Sequence, residues 1–422
     1  MPKGKITRQM TIAGIVGNIL EWYDFAIYGY FAPTIGANFF PSDDPTVSVI
    51  AAFGAFAAGF LVRPFGSILF GHIGDKLGRR RGLVLSVILM AIPTFAIGVL
   101  PDYAAIGTTA SVLLVLMRML QGLSVGGEYT TSIVFLVENS PPNRRAFYTS
   151  WSTWGAVAGI LTGSAVGALA ANFLTPDQVT SWGWRLPFLL GLVIGLAGLY
   201  LRRQNVQQDE VPVSDVKSPV IEAFRNHWRA ILKVAGINVV MATAFYMCFV
   251  YVTTWLQETA HVSSAKSLDI NSLNMSLLLL LIPLAALLAD RIGRKPMLVS
   301  GTIGVLLLAY PLFFLMQHDD SLNIFLGQFG FVVLMSMILG TYPAVIAEML
   351  PSRVRVSALS IGYNLCLAIF GGTTPLVCAY LVARTGDDLS PAFYLMATAV
   401  VSLAVLLTIP ETSGKDIHAS SG

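Results

Sequence analysis

Gly71-His72-Ile73-Gly74-Asp75-Lys76-Leu77-Gly78-Arg79-Arg80-Arg81-Gly82 is a short basic turn between two long apolar runs, and it returns in the second half of the chain as Leu288-Ala289-Asp290-Arg291-Ile292-Gly293-Arg294-Lys295. Asp75, Gly78, Arg79 and Arg80 map onto Asp290, Gly293, Arg294 and Lys295 at a single offset. A second echo follows each copy: Glu138, Pro141 and Arg145 map onto Glu348, Pro351 and Arg355 at nearly the same spacing. Two echoes in register mean that the chain is two copies of one half.

The surroundings of the turn say which solvent the halves live in. Of 422 residues, 55% are hydrophobic and 12% charged, against a usual charged share of about 25%. That composition is too apolar to clothe a water-soluble surface, so the expected solvent is the lipid bilayer. A net charge of +3 gives no reason to expect nucleic acid. Cys248, Cys366 and Cys378 lie in apolar runs without paired spacing and read as small core residues, not as disulfides or a metal site. The run after the basic stretch Met1 to Met10 is too long for a cleaved signal core.

A helix crosses a bilayer with about 20 apolar residues. Twelve such runs are expected, at 11–38, 47–73, 82–100, 107–138, 146–173, 185–201, 230–257, 270–289, 296–316, 322–349, 356–383 and 391–410. The fold class is therefore an all-α membrane protein of two pseudo-symmetric six-helix bundles, residues 1–201 and 230–422, joined by a polar linker at 202–229. Alternate loops test this order. Of the 26 Lys and Arg, only Arg185, Lys266 and Arg384 fall in loops on one face, and Arg63 and Arg118 fall inside spans. All others sit on the opposite face, which the positive-inside rule makes cytoplasmic, together with both termini. Trp182 and Trp184 flank an outer loop and read as interface anchors.

The basic turns have a physical role of their own. An acidic side chain such as Asp75 or Asp290 suits the positive N-terminal end of a neighbouring helix. Arg79 can reach Glu138, and Arg294 can reach Glu348, so these six residues form a candidate cytoplasmic gate. The simpler alternative, cations that merely obey positive-inside, leaves the repeated Asp–Gly–Arg order unexplained. Gly78 and Gly293 fit a turn that needs positive φ.

Charge at membrane depth costs at least ~2.5–3.5 kcal/mol per residue on insertion scales and marks function by default. The first half carries Glu21 and Asp24 on span 1, Arg63 on span 2, and Arg118 and Glu128 on span 4; the second half has none near the middle of a span. Facing inward, these five would form one polar chain with formal charge −1, which one proton neutralises. Asp24 or Glu21 is the candidate proton carrier, with Glu128 also in the proton-coupling set and expected to pair with Arg63. Arg118 is the candidate anchor for a substrate carboxylate through a bidentate contact, with Arg63 second. A purely structural ion-pair network is the alternative. Tyr28, Trp154, Tyr246, Tyr251 and Tyr363 are candidate substrate contacts, suited to an alkyl or quaternary-ammonium group through cation–π attraction. The stripe Gly155, Gly159, Gly163 and Gly167 permits close helix approach, and Gly371-Gly372 with Pro375 marks a bend in span 11.

Twelve spans, a six-plus-six repeat and two copies of the basic turn resemble the major facilitator superfamily over the whole chain. Within it, Gly17-Asn18-Ile19-Leu20-Glu21-Trp22-Tyr23-Asp24-Phe25, Arg63-Pro64-Phe65-Gly66, Gln121-Gly122-Leu123-Ser124-Val125-Gly126-Gly127-Glu128-Tyr129, Trp182-Gly183-Trp184-Arg185-Leu186-Pro187-Phe188 and Pro410-Glu411-Thr412 are similar to the metabolite:proton symporter family. The first half looks most like its bacterial proline/glycine-betaine symporters. The resemblance implies proton-driven uptake without a cofactor, rocking of the halves about a central site, a latch at the cytoplasmic side when the carrier faces out, and residence as a monomer in the bacterial inner membrane. Those symporters carry a C-terminal coiled-coil extension, whereas this chain ends soon after the last span, so osmosensing of that type is not expected. The family also carries citrate, 2-oxoglutarate and shikimate. Span 5 lacks the proline expected of drug antiporters.

Other classes fit less well. There is no Gly-x-x-x-x-Gly-Lys for an ATP-driven pump, no His-Glu-x-x-His and no Gly-x-Ser-x-Gly, so an enzyme is not expected. The reading is a symporter for a zwitterion such as proline or betaine. The rivals are a di- or tricarboxylate symporter, which would need further cations in the cavity, and a non-transporting nutrient receptor on the same fold.

Overall fold

The computed structural model describes residues 8–77, 79–125, 128–205, 219–318, 320–415 and 417, less the side chains of 8–17, 20, 71–84, 128, 194, 197–205 and 219–221. Asp75, Arg79 and Glu128 thus lie outside the described side chains, and Gly78 outside the described residues. Helices account for nearly all of the described residues.

Nine helices among the described residues are long and apolar enough to cross a membrane. They are span 2 (Pro45–Phe70), span 4 (Thr108–Asn139), span 5 (Pro142–Phe173), span 7 (Glu222–Thr259), span 8 (Ser264–Ile292), span 9 (Arg294–Met316), span 10 (Ser321–Glu348), span 11 (Arg355–Thr385) and span 12 (Ser390–Thr408). The remaining three expected spans are also helices: span 1 (Arg8–Tyr30), span 3 (Arg79–Val99) and span 6 (Arg185–Asn205). Each is diluted by charge, from Glu21 and Asp24 in the first, three arginines opening the third and Arg202-Arg203 closing the sixth. The linker is shorter than 202–229: helix persists to Asn205 and resumes at Pro219, with a break at His227 where φ is −127°.

Within the first half, span 1 packs on span 5, span 3 on span 6 and span 2 on span 4. Span 9 packs on spans 10 and 12, and span 7 on spans 11 and 12. The halves meet chiefly where spans 8 and 10 cross span 5 and where span 11 lies against span 2. Missing side chains make the tightest crossings. A Cβ on Gly122 would overlap the Gly59 carbonyl, so spans 4 and 2 touch backbone to backbone. Gly159 and Gly163 of the small-residue stripe do the same service against Ile19 and Ala26 of span 1.

Two spans carry a π-helical turn, Met247–Tyr251 in span 7 and Leu367–Gly371 in span 11. The second coincides with the bend expected at Gly371-Gly372; the first had no sequence cue. Loosened carbonyls in the first find side-chain donors: Gln328 reaches Cys248 O at 2.9 Å, and Tyr30 and Asn271 reach Phe249 O at 2.9 and 3.2 Å. Trp184 is no interface anchor. It is fully buried against Phe39 and Phe188, while Trp182 is exposed. The three cysteines are free and buried.

Candidate functional site

The second basic turn forms the seal between the halves at the basic end of the bundle. Gly293 has φ +110°, a conformation that suits glycine, and it starts span 9 directly after span 8. The turn delivers Asp290 to the N-terminus of Arg145–Phe173 in span 5. There its carboxylate accepts the backbone N–H groups of Ala146 and Phe147 at 3.0 and 2.9 Å, an acid on the positive end of a helix. Arg294 bridges Asp290 at 2.9 Å and Glu348 at 3.4 Å, and its side chain is fully buried. Arg145 from the first half reaches Glu348 at 3.7 Å. Glu138 pairs at 2.5 Å with Arg355 of the other half; its expected partner Arg79 lies outside the described side chains. The pair therefore crosses the interface.

The segment after span 12 completes the seal. Glu411 accepts the backbone N–H groups of Arg294 and Lys295 at 3.0 Å each and caps span 9. Partial burial pushes this carboxyl up, but N–H donors of Ser413, Lys295, Arg294 and Thr412 together outweigh it and hold it below its ordinary range. Thr412 donates to Glu348 at 2.7 Å, and the carbonyls of Lys415 and Ile417 accept from Arg145 and Arg355 at 2.7 and 2.8 Å. The sequence had marked Glu411 only through the resemblance. At the opposite end the halves touch through Ser164 and Ser272 at 2.8 Å and through Asn172 and Asp269 at 3.1 Å, the latter exposed.

Inside the bundle, toward the basic end, Glu21, Arg63, Val125, Tyr129, Thr130, Tyr363 and Asn364 line a cavity of about 10 Å³, room for a single water. Spans 1 and 2 supply the charge, and spans 4 and 11 supply the uncharged walls. Arg63 is 0% exposed, and its three guanidinium nitrogens have no hydrogen-bond partner among the described residues. Its guanidinium lies over Phe60 at 4.0 Å and Phe25 at 4.2 Å, two rings that meet each other edge-on at 4.9 Å, with Trp22 at 5.2 Å. Tyr129 stacks on Tyr363 at 5.0 Å, meets Trp22 edge-on at 5.9 Å, and bonds Thr153 at 3.1 Å and also Tyr342.

Of the five expected charges, the four with described side chains do not form one chain along the cavity. Asp24 is three residues from Glu21, about 60° round the helix, and that turn takes it behind span 1. There Thr94 of span 3 donates to it at 2.7 Å, and Oδ1 lies 3.2 Å from where a Cβ on Gly191 of span 6 would stand. Arg118 is likewise absent from the cavity lining. It donates to Gln121 at 2.7 Å and lies over Tyr28 at 4.3 Å and Phe25 at 4.9 Å. Of the other aromatic candidates, Tyr363 alone lines the cavity. Tyr28 donates to Ala52 O at 3.1 Å, Trp154 ties span 5 to Leu279 O at 3.1 Å, Tyr251 packs on Phe53 at 5.8 Å, and Tyr246 packs on Phe60 at 5.2 Å. Tyr129 had been quoted only within the span 4 motif. Of its neighbours across the halves, Tyr363 is a sequence candidate, whereas Tyr342 carries no local signal.

The comparisons with known proteins agree with this architecture. The family model described as sugar (and other) transporter matches twice, over residues 10–204 and 203–420. A glycine betaine/proline/ectoine/pipecolic acid transporter of Dickeya dadantii is 37% identical over 99% of this chain and 86% of its own length. A proline/betaine transporter of Salmonella typhimurium is 36% identical over the same shares, and a putative proline/betaine transporter of Staphylococcus aureus is 36% identical over 100% and 92%. Among solved structures, a proton:xylose symporter of the major facilitator superfamily matches with TM-score 0.76 and 17% identity over 97% of each chain. The Escherichia coli xylose transporter in a partially occluded inward open conformation matches with TM-score 0.72 and 18% identity, over 97% of this chain and 99% of that one. With its repeated half, its membrane-spanning helices and these relatives, the chain belongs to the sugar (and other) transporter family within the major facilitator superfamily.

Proposed function

We propose that this transporter is a proton-coupled symporter that imports a small zwitterion, a betaine or an amino acid of the proline kind, by alternating access. The observation that carries the reading is Arg63, a fully buried guanidinium on the cavity wall with no hydrogen-bond partner among the described residues. A desolvated cation in that state is strongly stabilised by a ligand carboxylate, which it can grip through two parallel N–H···O bonds. Across the same cavity stand the Glu21 carboxylate and the Tyr129 and Tyr363 rings, which suit a cationic nitrogen. Proline and glycine betaine, named in the relatives' descriptions, carry both ends. A cavity of one water is smaller than either, so the halves separate to load it.

Arg63 is the only cation lining this cavity among the described residues, which suits a single carboxylate better than a di- or tricarboxylate. The proton gradient drives the cycle without a cofactor, and the buried acids Asp24 and Glu21 are the proton sites. Positive-inside counting places the basic end, with both termini, in the cytoplasm of a bacterial inner-membrane protein that works as a monomer. The division into residues 1–201 and 230–422 about the linker gives the two rocking bodies.

Reconstitution into liposomes tests this. An inward proton gradient should drive accumulation of glycine betaine or proline and leave citrate and 2-oxoglutarate outside. Accumulation of the carboxylates alone would overturn the substrate reading. Binding of a zwitterion with no counterflow would make the protein a receptor.

A further inference from the structure

Behind span 1, away from the cavity, four side chains from three spans form a directed string. Arg118 Nη1 donates to Gln121 Oε1, Gln121 Nε2 donates to Thr94 Oγ1, and Thr94 Oγ1 donates to Asp24 Oδ2, each at 2.7 Å. Every donor points toward Asp24. Thr94, Gln121 and Arg118 are 0% exposed and Asp24 is 4% exposed. Such a string is self-reinforcing, since each bond polarises the next, and it needs a full acceptor at its end. Ionised Asp24 is that acceptor. Among the described residues the groups facing it are Thr94 from span 3, the bare Gly191 from span 6, Arg118 from span 4 through Gln121, and Tyr23 on its own helix.

Thr94 has a second acceptor within reach, the carbonyl of Met90 at 2.8 Å. We propose that Thr94 and Gln121 are positioning residues that report the protonation of Asp24 to Arg118, so that proton uptake and the substrate cavity are linked through a string that substrate never touches. When Asp24 takes a proton from a hydronium ion, one O–H bond of the hydronium breaks, one forms on the carboxylate, and a neutral water is left behind. The new O–H donates to Thr94 Oγ1, and Thr94 turns its own hydrogen to Met90 O. The string then ends on a neutral acid, and Arg118 loses the counter-charge that held it. The step reaches the cavity through Phe25, whose ring lies 4.9 Å from the Arg118 guanidinium and 4.2 Å from that of Arg63. Phe25 follows Asp24 in the chain, so the proton site and the sandwiched ring move as one rigid turn of helix.

This inference rests on the symporter reading, and two measurements on the full chain in liposomes separate them. The first needs no substrate: an infrared difference titration follows the carboxylic C=O band that is absent from D24N. Thr94→Val and Gln121→Leu should each displace its midpoint by about one pH unit, the double variant by no more than either, and Thr94→Ser by much less. An unchanged midpoint overturns the string whatever the protein transports. The second compares proton-driven accumulation with counterflow, which needs no net proton movement. In Thr94→Val, accumulation should fall by about tenfold and lose its dependence on external pH, with counterflow within about twofold of wild type and Thr94→Ser restoring both. A parallel fall of accumulation and counterflow would show a merely structural role and overturn the proposal. A displaced midpoint in a protein that moves no zwitterion would leave the string standing and sink the symporter reading.

Discussion

The carboxylate of Asp290 accepts the backbone N–H of Ala146 at 3.0 Å, so an acid from the second half sits on the first turn of a helix from the first. Asp290 also holds Arg294, which holds Glu348, which is reached by Arg145. Buried charge, helix polarity and chain connectivity are thus combined in one seal.

Removing the charge at its head should open that seal. In Asp290→Asn one acceptor oxygen is lost and the helix end meets a neutral amide, at a cost of ~1–2 kcal/mol to the closed form. Cysteine labelling from the basic end should rise several-fold, and protein yield should stay near wild type. Unchanged labelling would mean that the seal is held elsewhere.

Glu411 gives the seal a pH dependence whose sign is fixed. Its carboxyl is held below the ordinary 4.5, so it favours the folded protein above that value, and this contribution is lost as pH falls through the lowered folded value. The melting temperature of Glu411→Gln should therefore lie below wild type by a constant margin at neutral pH. The two curves should converge only below about pH 4.5. Convergence already near pH 6 would contradict the assignment.

Substrate recognition should hinge on the shape of the cation as well as its charge. Arg63→Lys keeps the charge and loses the planar fork and its contact with the Phe25 and Phe60 rings. Affinity for a zwitterion should fall about 10- to 100-fold, measured by calorimetry on the purified protein. Arg118→Lys should weaken binding far less. Equal losses would return Arg118 to the substrate site.

The crossing of spans 2 and 4 should tolerate no side chain. Gly122→Ala would drive a methyl into the Gly59 carbonyl, and Gly54→Ala meets nothing within 4 Å. The first should lose ~2 kcal/mol or more and melt well below wild type in detergent; the second should be neutral. A stable Gly122→Ala protein would show that the helices part easily.

The sequence carried the architecture because the repeat and the apolar runs are local patterns. It carried Asp290, Arg294 and Glu348 because the motif sets a helix end beside an acid. What it left out is rotational phase. Glu21 and Asp24 look like one face when read as a spacing of three, yet the residual 60° puts one on the cavity and the other behind the helix. The same gap hid Thr94 and Gln121, which are ordinary polar residues until span 3 meets span 4. The crossing of Glu138 to Arg355 and the stacking of Tyr129 on Tyr363 depend on how two halves dock, and no window of sequence contains that. Tyr28 reads as a substrate-facing aromatic but lies under the Arg118 guanidinium, because a buried arginine needs company before any solute arrives.

The two doors of this carrier are built to different stiffness. One is bolted with desolvated ions and capped helix ends; the other is closed by the hydrogen bonds of Tyr30, Ser164 and Asn172 to Phe249 O, Ser272 and Asp269 and by the packing of Phe53 on Tyr251. Parting the halves at the basic end therefore separates desolvated opposite charges, whereas parting them at the other end breaks mainly hydrogen bonds and ring contacts, so the two motions of a transport cycle answer to different chemistry.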